Sequence, residues 1–424
     1  MTCARTAAIF GTFDVSNYGD LLFPIVAADR LSDFGFETLP VSPTDGSTVF
    51  ADALPATAYS DLLQDDRRLD GVLIGGGEIV HVWRGDFLEE YRAGSLPETA
   101  YPSLWFGAGV VAALADAPIA WNAPGAPTPL ERNLRRFALE PLVAASDYVS
   151  ARDKTSAIFI GRGTEVAVSP DTVAGIARVW PKSSLERECA AFRERAGLSY
   201  DARLIALHTR PGRIPDEDLG RIGAQISALA TAHGLTPVLV GIGPSLDDGR
   251  ALAALDRAIT VPTVMLDRPR SLVELASVIA GAALYLGTSM HGYVTAAAYD
   301  SPGVIVARPG FRKYAGFAEH IGRREDIVRS WDDGLERADA LLRAPRGSLI
   351  PDSVHAALDA HWERVARAFD APRAKAAERA AFLRSVVAHS VRDLGLLSLA
   401  GAPLGGRPSE AEPLAELNAL RISQ

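Results

Sequence analysis

Residues 272–306 read LVELASVIAGAALYLGTSMHGYVTAAAYDSPGVIV and carry the clearest information about the fold. Two short apolar runs, ALYLG at 283–287 and GVIV at 303–306, each follow a segment with helical spacing. Neither run alternates with polar residues, which is typical of parallel strands that are buried on both faces. The stretch therefore predicts a helix–strand–helix–strand unit of a doubly wound α/β domain.

The same alternation of buried strands and helices extends in both directions along the chain. It predicts one α/β domain over residues 1–175 and a second over residues 195–345, with VWPKSS at 179–184 as the linker. Residues 352–424 are expected to form C-terminal helices and a tail. The predicted fold class is therefore α/β, with two Rossmann-like domains that face each other across a cleft.

The composition excludes several classes of protein. The chain of 424 residues is 48% hydrophobic and 22% charged, and its net charge of -9 argues against an electrostatic nucleic-acid binder. Its two cysteines lack metal-ligand spacing, so neither a zinc site nor a disulfide framework is expected. The sequence shows neither a signal peptide nor an apolar run of membrane-spanning length. A cytoplasmic location is expected, and peripheral attachment to the inner face of a membrane and homo-oligomerisation stay open.

Polar residues follow several predicted strands, at the carboxyl ends where ligands bind in open α/β sheets. The loop from Asp14 to Asp20 follows the first strand, and Gly75–Gly77 follow another strand of the first domain. Arg210 and His291 follow strands of the second domain. These side chains are expected to meet in the cleft between the two domains.

The order of the motifs gives a more specific indication. The chain contains NYGD at 17–20, GGG at 75–77, SARDKTS at 150–156, SPD at 169–171, and then residues 272–306 followed by Lys313. In this order they resemble the polysaccharide pyruvyl transferase family from about residue 8 to residue 325. The resemblance implies a fold of the glycosyltransferase-B (GT-B) type. It also implies transfer of a pyruvyl unit from phosphoenolpyruvate to two hydroxyls of a sugar, which forms a cyclic ketal.

The resemblance assigns the donor to the second domain. It implies that His291 is a catalytic acid or base, within a family pattern Arg-x-His whose Arg is Ser289 in this chain. The residues expected to bind phosphoenolpyruvate are Arg210, Ser289, Gly292, Lys313 and Arg268. Other interpretations stay open, because His291 and Ser289 could simply begin a helix, and Arg210, Arg268 and Lys313 could be solvated surface charges.

The first domain is expected to hold the acceptor, a cell-surface glycan or glycolipid or its lipid-linked precursor. Asp14 and Asp20 are candidates to accept the sugar hydroxyl protons, although Asp20 could equally cap a helix. The expected acceptor-binding residues are Asn17, Gly19, Gly76, Gly77 and Glu78. No cofactor is expected, since phosphoenolpyruvate is a co-substrate. The serine at 289 leaves two alternatives open, a glycosyltransferase that uses a nucleotide sugar and a glycan-binding protein without activity.

Overall fold

The computed structural model describes residues 5–308 and 312–394, and two parallel sheets organise this part of the chain. The first sheet has the strand order β3-β2-β1-β4-β5. Its strands are β1 (Arg5–Phe10), β2 (Phe36–Ser42), β3 (Thr57–Ala58), β4 (Gly71–Ile74) and β5 (Ile119–Trp121). A small separate sheet pairs β6 (Ser150–Ala151) with β7 (Ala167–Val168).

Helices connect and cover the strands of this first sheet. They are α1 (Tyr18–Ser32), α2 (Tyr59–Leu62), α3 (Leu96–Pro102), α4 (Ala108–Leu114), α5 (Arg132–Leu134), α6 (Glu140–Ala145), α7 (Lys154–Gly161) and α8 (Ile176–Val179). Strands β1 and β4 are buried along most of their length, because helices lie on both faces of the sheet.

The second sheet is also parallel, and its strand order is β10-β9-β8-β11-β12-β13. The strands are β8 (Arg203–His208), β9 (Leu235–Val240), β10 (Val264–Leu266), β11 (Leu284–Gly287), β12 (Gly303–Val306) and β13 (Ile327–Val328). The helices are α9 (Lys182–Arg195), α10 (Leu219–His233), α11 (Asp248–Ala258), α12 (Leu272–Gly281), α13 (Met290–Ala298), α14 (Arg312–His320) and α15 (Trp331–Arg343).

The prediction of two Rossmann-like domains is confirmed. In both sheets the first two crossovers run one way from the first strand and the next runs the other way, which is the Rossmann strand order. Residues 272–306 form α12, β11, α13 and β12, as their apolar pattern predicts. The boundaries of the two domains at residues 175 and 195 stay a prediction.

Two C-terminal helices, α16 (Asp352–Phe369) and α17 (Ala376–Leu394), pack on the first domain. Phe382 of α17 is buried in the apolar cluster beneath α4 and α6. The buried guanidinium of Arg379 pairs with Asp147 at 3.2 Å and Asp116 at 3.0 Å. Residues 395–424 of the predicted tail lie outside the described residues.

One apolar cluster extends from the first domain into the second. It includes side chains of α1 in the first domain and of α12 and α13 in the second. Polar contacts accompany it, since the hydroxyls of Tyr18 and Thr295 lie 3.0 Å apart. The carboxylate of Asp52 accepts hydrogen bonds from the backbone N–H groups of Leu272 and Val273, at 2.6 and 3.0 Å, where α12 begins. These contacts join the two domains on one side of the cleft.

Candidate functional site

A cavity of about 270 Å³ lies between the carboxyl ends of the two sheets. It is lined by loops that follow β1 and β4 in the first domain and β8 and β11 in the second. In each sheet these are the strands at which the strand order reverses, so both ligand-binding crevices of the fold open into one space.

The loop after β1 and the first turn of α1 bring Asn17 and Asp20 to the cavity. The Asn17 side-chain amide donates a hydrogen bond to Asp20 Oδ2 at 2.7 Å. Burial raises the pKa of Asp20, and the nearby His291 opposes this shift. Gly19 lies directly beneath that imidazole, because a Cβ at this position would stand 1.8 Å from His291 Nδ1. Only glycine lets α1 approach the imidazole so closely.

His291, the second residue of α13, is paired with a buried carboxylate. Its Nε2 lies 3.5 Å from Oδ2 of Asp171, and Phe23 packs edge-on against the imidazole at 5.4 Å between ring centres. Asp171 Oδ1 accepts a hydrogen bond from the Val173 backbone at 3.0 Å, which fixes the carboxylate. Burial alone would raise the pKa of Asp171, but its interaction with His291 lowers it below the usual value. The pair can therefore hold and release a proton at the cavity wall.

Three charged side chains form a second cluster in the cavity wall. The buried Arg152 donates a hydrogen bond to Glu78 Oε1 at 2.9 Å, and Lys313 Nζ lies 3.4 Å from Glu78 Oε2. Burial would raise the pKa of Glu78, yet Arg152 and Lys313 lower it. Burial lowers the pKa of Lys313, Glu78 raises it, and Arg152 and Arg210 lower it further. With Arg210, three cationic side chains line the cavity, and Glu78 and Asp153, the latter 3.8 Å from Arg152, partly offset their charge.

Arg210 follows β8 and lines the cavity. No ion pair of Arg210 is found within residues 5–308 and 312–394. Near it, the Ser289 hydroxyl caps α13 by accepting the Gly292 N–H at 3.4 Å. The Tyr314 hydroxyl donates to the carbonyl of Thr288 at 3.0 Å, which fixes the turn before α13. A guanidinium and a helix N-terminus are both suited to anions.

A second histidine–aspartate pair also lines the cavity. His208, the last residue of β8, has Nε2 2.9 Å from Asp248 Oδ2 and Nδ1 3.3 Å from the Thr288 hydroxyl. Asp248 and His208 are buried, and the same carboxylate oxygen accepts the backbone N–H groups of Ile242 and Gly243 at 3.1 and 2.6 Å. The three side chains therefore form a connected chain, and all three line the cavity.

Aromatic residues form one side of the cavity mouth. Trp83 and Phe87 are half-exposed, at 48% and 53%, and pack near the inner rings of His81 and Tyr101. Burial lowers the pKa of His81 to about 4, and its Nδ1 accepts the Trp83 backbone N–H at 3.1 Å, so the imidazole is neutral. Aromatic faces with this exposure are surfaces on which sugar rings can stack.

Most of the predicted site residues line this cavity, and five do not. The lining residues are Asn17, Asp20, Gly77, Glu78, Arg210, Ser289, His291 and Lys313. Gly19, Gly76 and Gly292 lie behind the wall and allow close packing, against His291, Phe23 and Tyr285 respectively.

The other two predicted residues lie elsewhere for different reasons. Asp14 is buried outside the cavity, and its carboxylate accepts hydrogen bonds from Tyr91 at 2.5 Å and from Thr44 at 2.7 and 2.9 Å. These bonds occupy both carboxylate oxygens, so the contacts of Asp14 are structural. Arg268 is an exposed loop residue beyond β10 and does not line the cavity.

Other residues of the site are not among the sequence-based predictions. Asp171 belongs to the quoted SPD motif and follows β7, so the rule that polar residues follow strands would have found it. Arg152 and Asp153 are expected from sequence to form a structural ion pair or a helix cap with Ser156, and only second a site. The ion pair is present at 3.8 Å and Asp153 caps α7 through Ser156, while Arg152 also lines the cavity. His208 belongs to an apolar run, and this run predicts a strand without indicating a site residue. Its partner Asp248 is distant in sequence.

The polysaccharide pyruvyl transferase model matches residues 17–309, which is most of the chain. The chain belongs to this family. Residues 17–309 contain every cavity-lining residue named above except Lys313 and Tyr314. The placement of the family pattern Arg-x-His on Ser289 and His291 stays a prediction for this pyruvyl transferase family member. Comparison with curated proteins gave no significant match.

Solved structures that are similar to this family member show the same arrangement of domains. The UDP-GlcNAc 2-epimerase of Methanocaldococcus jannaschii in complex with UDP-GlcNAc and UDP is 11% identical, over 86% of this chain and 98% of that one, with a TM-score of 0.52. The UDP-N-acetylglucosamine 2-epimerase of Rickettsia bellii is 11% identical, over 92% and 98%, with a TM-score of 0.53. At this identity the likeness concerns the fold, two Rossmann-like domains of GT-B type.

Two searches of the described residues gave negative results. Within residues 5–308 and 312–394, no group of three or more histidine, cysteine, aspartate or glutamate side chains is placed to hold a metal ion. Over the same residues, no helix is both long enough and apolar enough to cross a lipid bilayer.

Proposed function

We propose that this protein transfers the pyruvyl group of phosphoenolpyruvate to two hydroxyls of a sugar, forming a cyclic ketal on a cell-surface glycan or its lipid-linked precursor. The observation that carries the proposal is the meeting of Arg152, Lys313 and Arg210 with His291 in one cavity of a pyruvyl transferase family member. Cations for an anionic donor and a paired acid–base are the two things that this reaction requires.

The charges of the cavity suit the donor. Phosphoenolpyruvate carries a carboxylate and a phosphate, and each needs charge-assisted hydrogen bonds when it leaves water. Arg152 and Lys313 both line the cavity; Glu78 pairs with both of them, and Asp153 lies 3.8 Å from Arg152. Arg210 and the N-terminus of α13 add further positive potential, which compensates for the serine at 289. Ser289 itself is engaged in capping α13.

His291 is proposed as the catalytic acid–base. As one sugar oxygen bonds to C2 of phosphoenolpyruvate, its proton must leave and C3 must gain a proton to become a methyl group. The second sugar oxygen then displaces phosphate from C2. Asp171 stabilises the positively charged imidazole that appears in such steps, because its carboxylate lies 3.5 Å from Nε2. Asp20, with its raised pKa, can accept or return a proton on the first-domain side.

The acceptor is proposed to enter from the first domain. Asn17 and Asp20 offer hydrogen-bonding groups to sugar hydroxyls, and the half-exposed rings of Trp83 and Phe87 offer stacking surfaces at the mouth. A cytoplasmic enzyme of this kind would act on a glycan, a glycolipid or a lipid-linked precursor presented at the inner face of the membrane.

Calorimetry with phosphoenolpyruvate alone tests the donor site. A charge-assisted hydrogen bond to phosphate contributes about 1.5–3 kcal/mol, so Arg210→Ala should weaken binding by about 10- to 150-fold. Ser289→Ala should weaken it less, because that hydroxyl carries no charge. Arg250→Ala is the matched control, since this arginine is 75% exposed and does not line the cavity. Equal binding by wild type and Arg210→Ala would place the donor elsewhere.

A glycosyltransferase that uses a nucleotide sugar is the second candidate, and Ser289 favours it because the family arginine is missing. Calorimetry with UDP-GlcNAc distinguishes the glycosyltransferase from the pyruvyl transferase. Binding of the nucleotide sugar without binding of phosphoenolpyruvate would overturn the proposal. Binding of neither, with retention of glycan fragments, would instead favour a glycan-binding protein without activity. Ser289→Arg, which restores the family pattern, should be tolerated or should tighten phosphoenolpyruvate binding.

A further inference from the structure

The cavity holds two histidine–aspartate pairs, and the proposed roles above use only one of them. His208 and Asp248 are both buried, and both line the cavity together with Thr288. The link from Asp248 to His208 is 2.9 Å and the link from His208 to Thr288 is 3.3 Å. A buried polar chain along a cavity wall is unusual for a part of the core that only has to be stable.

The hydrogen bonds of Asp248 fix where the protons of this chain lie. Asp248 Oδ2 accepts two backbone N–H groups, which can only donate, so the oxygen acts as an acceptor. The His208 Nε2 beside it must therefore carry the hydrogen. In the neutral imidazole Nδ1 is then unprotonated, and the Thr288 hydroxyl donates to it. The lone pairs of the Thr288 oxygen are left free to accept a proton from a ligand.

The reaction under "Proposed function" moves two protons in four transfers, and this inference rests on that proposal. Two protons leave the two sugar hydroxyls. One proton is added to C3, and one is added to the departing phosphate, which leaves as monohydrogen phosphate. One histidine can serve one exchange of this kind, taking a proton and returning it. The second exchange needs a second group on the side where the phosphate leaves.

We propose that Thr288, His208 and Asp248 form a proton relay for the second half of the reaction. The second sugar hydroxyl gives its proton to the Thr288 oxygen while the Thr288 proton passes to His208 Nδ1. The C2–O bond to the sugar forms and the C2–O bond to phosphate breaks. The imidazolium, stabilised by Asp248, then returns a proton through Thr288 to the phosphate. No oxidant, reductant or metal is required, and His208 ends in its starting state.

The position of Thr288 supports this assignment to the phosphate side. Thr288 directly precedes Ser289 and α13, whose N-terminus is a site suited to anions. Arg210, the proposed phosphate ligand, comes two residues after His208. His291 and Asp171, by contrast, lie against α1 of the first domain through Gly19 and Phe23. The two pairs therefore serve different faces of the same cavity.

The experiment uses the full chain with phosphoenolpyruvate and a panel of nitrophenyl hexosides and N-acetylhexosaminides as acceptors. His208→Gln keeps a donor toward Asp248 but has no atom that can take the Thr288 proton, and Thr288→Val removes the hydroxyl. Both variants should lose about 10²-fold or more in kcat, with the Kd for phosphoenolpyruvate changed less than about threefold. Thr288→Ser should restore turnover. His355→Gln, an exposed histidine on α16, is the matched control.

Product analysis separates this relay from a role in stability alone. Because the first half of the reaction is intact, His208→Gln should accumulate an acceptor adduct that still carries phosphate, seen by mass spectrometry and ³¹P NMR. Wild-type kcat in both variants would overturn the relay and leave the proposed function standing. A weaker Kd with unchanged kcat would make His208 a donor-binding residue and also overturn it. No phosphate release by the wild-type chain with any acceptor would overturn both proposals.

Discussion

Asp171→Asn tests how far His291 depends on its buried partner. The substitution keeps the shape of the side chain and the Oδ1 bond to the Val173 backbone, but it removes the charge 3.5 Å from His291 Nε2. Two unit charges at this distance attract by about 5 kcal/mol if the effective dielectric constant is about 20. If half of this attraction acts on the imidazolium in the transition state, turnover falls by about 30- to 150-fold.

Phosphate release from phosphoenolpyruvate with an acceptor measures this loss. The exposed Asp66→Asn is the matched control for the amide substitution itself. Because the pKa of Asp171 is lowered in the folded protein, its contribution to stability is present above its unfolded pKa of about 4 and is lost as the pH falls below that value. Turnover within threefold of wild type, in a protein that is equally folded, would show that His291 works without Asp171 and that this reasoning is wrong.

Three further predictions concern packing and charge. Burial raises the pKa of Asp14 to about 6, so its contribution to stability is greatest below pH 4 and falls as the pH rises. The unfolding free energy of wild type relative to Asp14→Asn should therefore drop by about 3 kcal/mol from pH 4 to pH 7 in urea titrations, and a flat difference would contradict the buried charge. Gly19→Ala should displace His291 and lower turnover at least about tenfold, while the circular dichroism spectrum stays native. Unchanged turnover would mean that α1 moves and His291 keeps its place. Arg379→Ala leaves the buried carboxylate of Asp147 unpaired and should cost about 3–5 kcal/mol in thermal unfolding, whereas a loss below 1 kcal/mol would show that water replaces the guanidinium.

The fold could be predicted because its signals are local. Uninterrupted short apolar runs such as GVIV at 303–306 are typical of strands buried on both faces, and glycines and polar residues mark where they end. The carboxyl ends of parallel strands then meet at one edge, which is why His291, Arg210 and Glu78 were predicted to share a cleft and do line one cavity.

The pairing of side chains across the cavity could not be predicted. Asp14 and Asp20 look alike in sequence, six residues apart in one loop. Only the distant Tyr91 and Thr44 make Asp14 a structural contact. Likewise, His208 reads as part of a strand because its partner Asp248 lies beyond the next strand of the chain. Such roles depend on contacts between residues that are far apart along the sequence, and no local pattern encodes these contacts.

The apolar core that α1 shares with α12 and α13 has a consequence for how ligands enter and leave. Domains of one chain usually swing apart because the interface between them is small and polar. Here a wide opening would expose buried apolar side chains and break the bond between Tyr18 and Thr295. A large opening of the cleft therefore costs free energy in proportion to the apolar surface that it exposes to water. The donor, the sugar and the phosphate would then enter and leave at the exposed rim formed by Trp83 and Phe87, where small loop movements are enough to open a path.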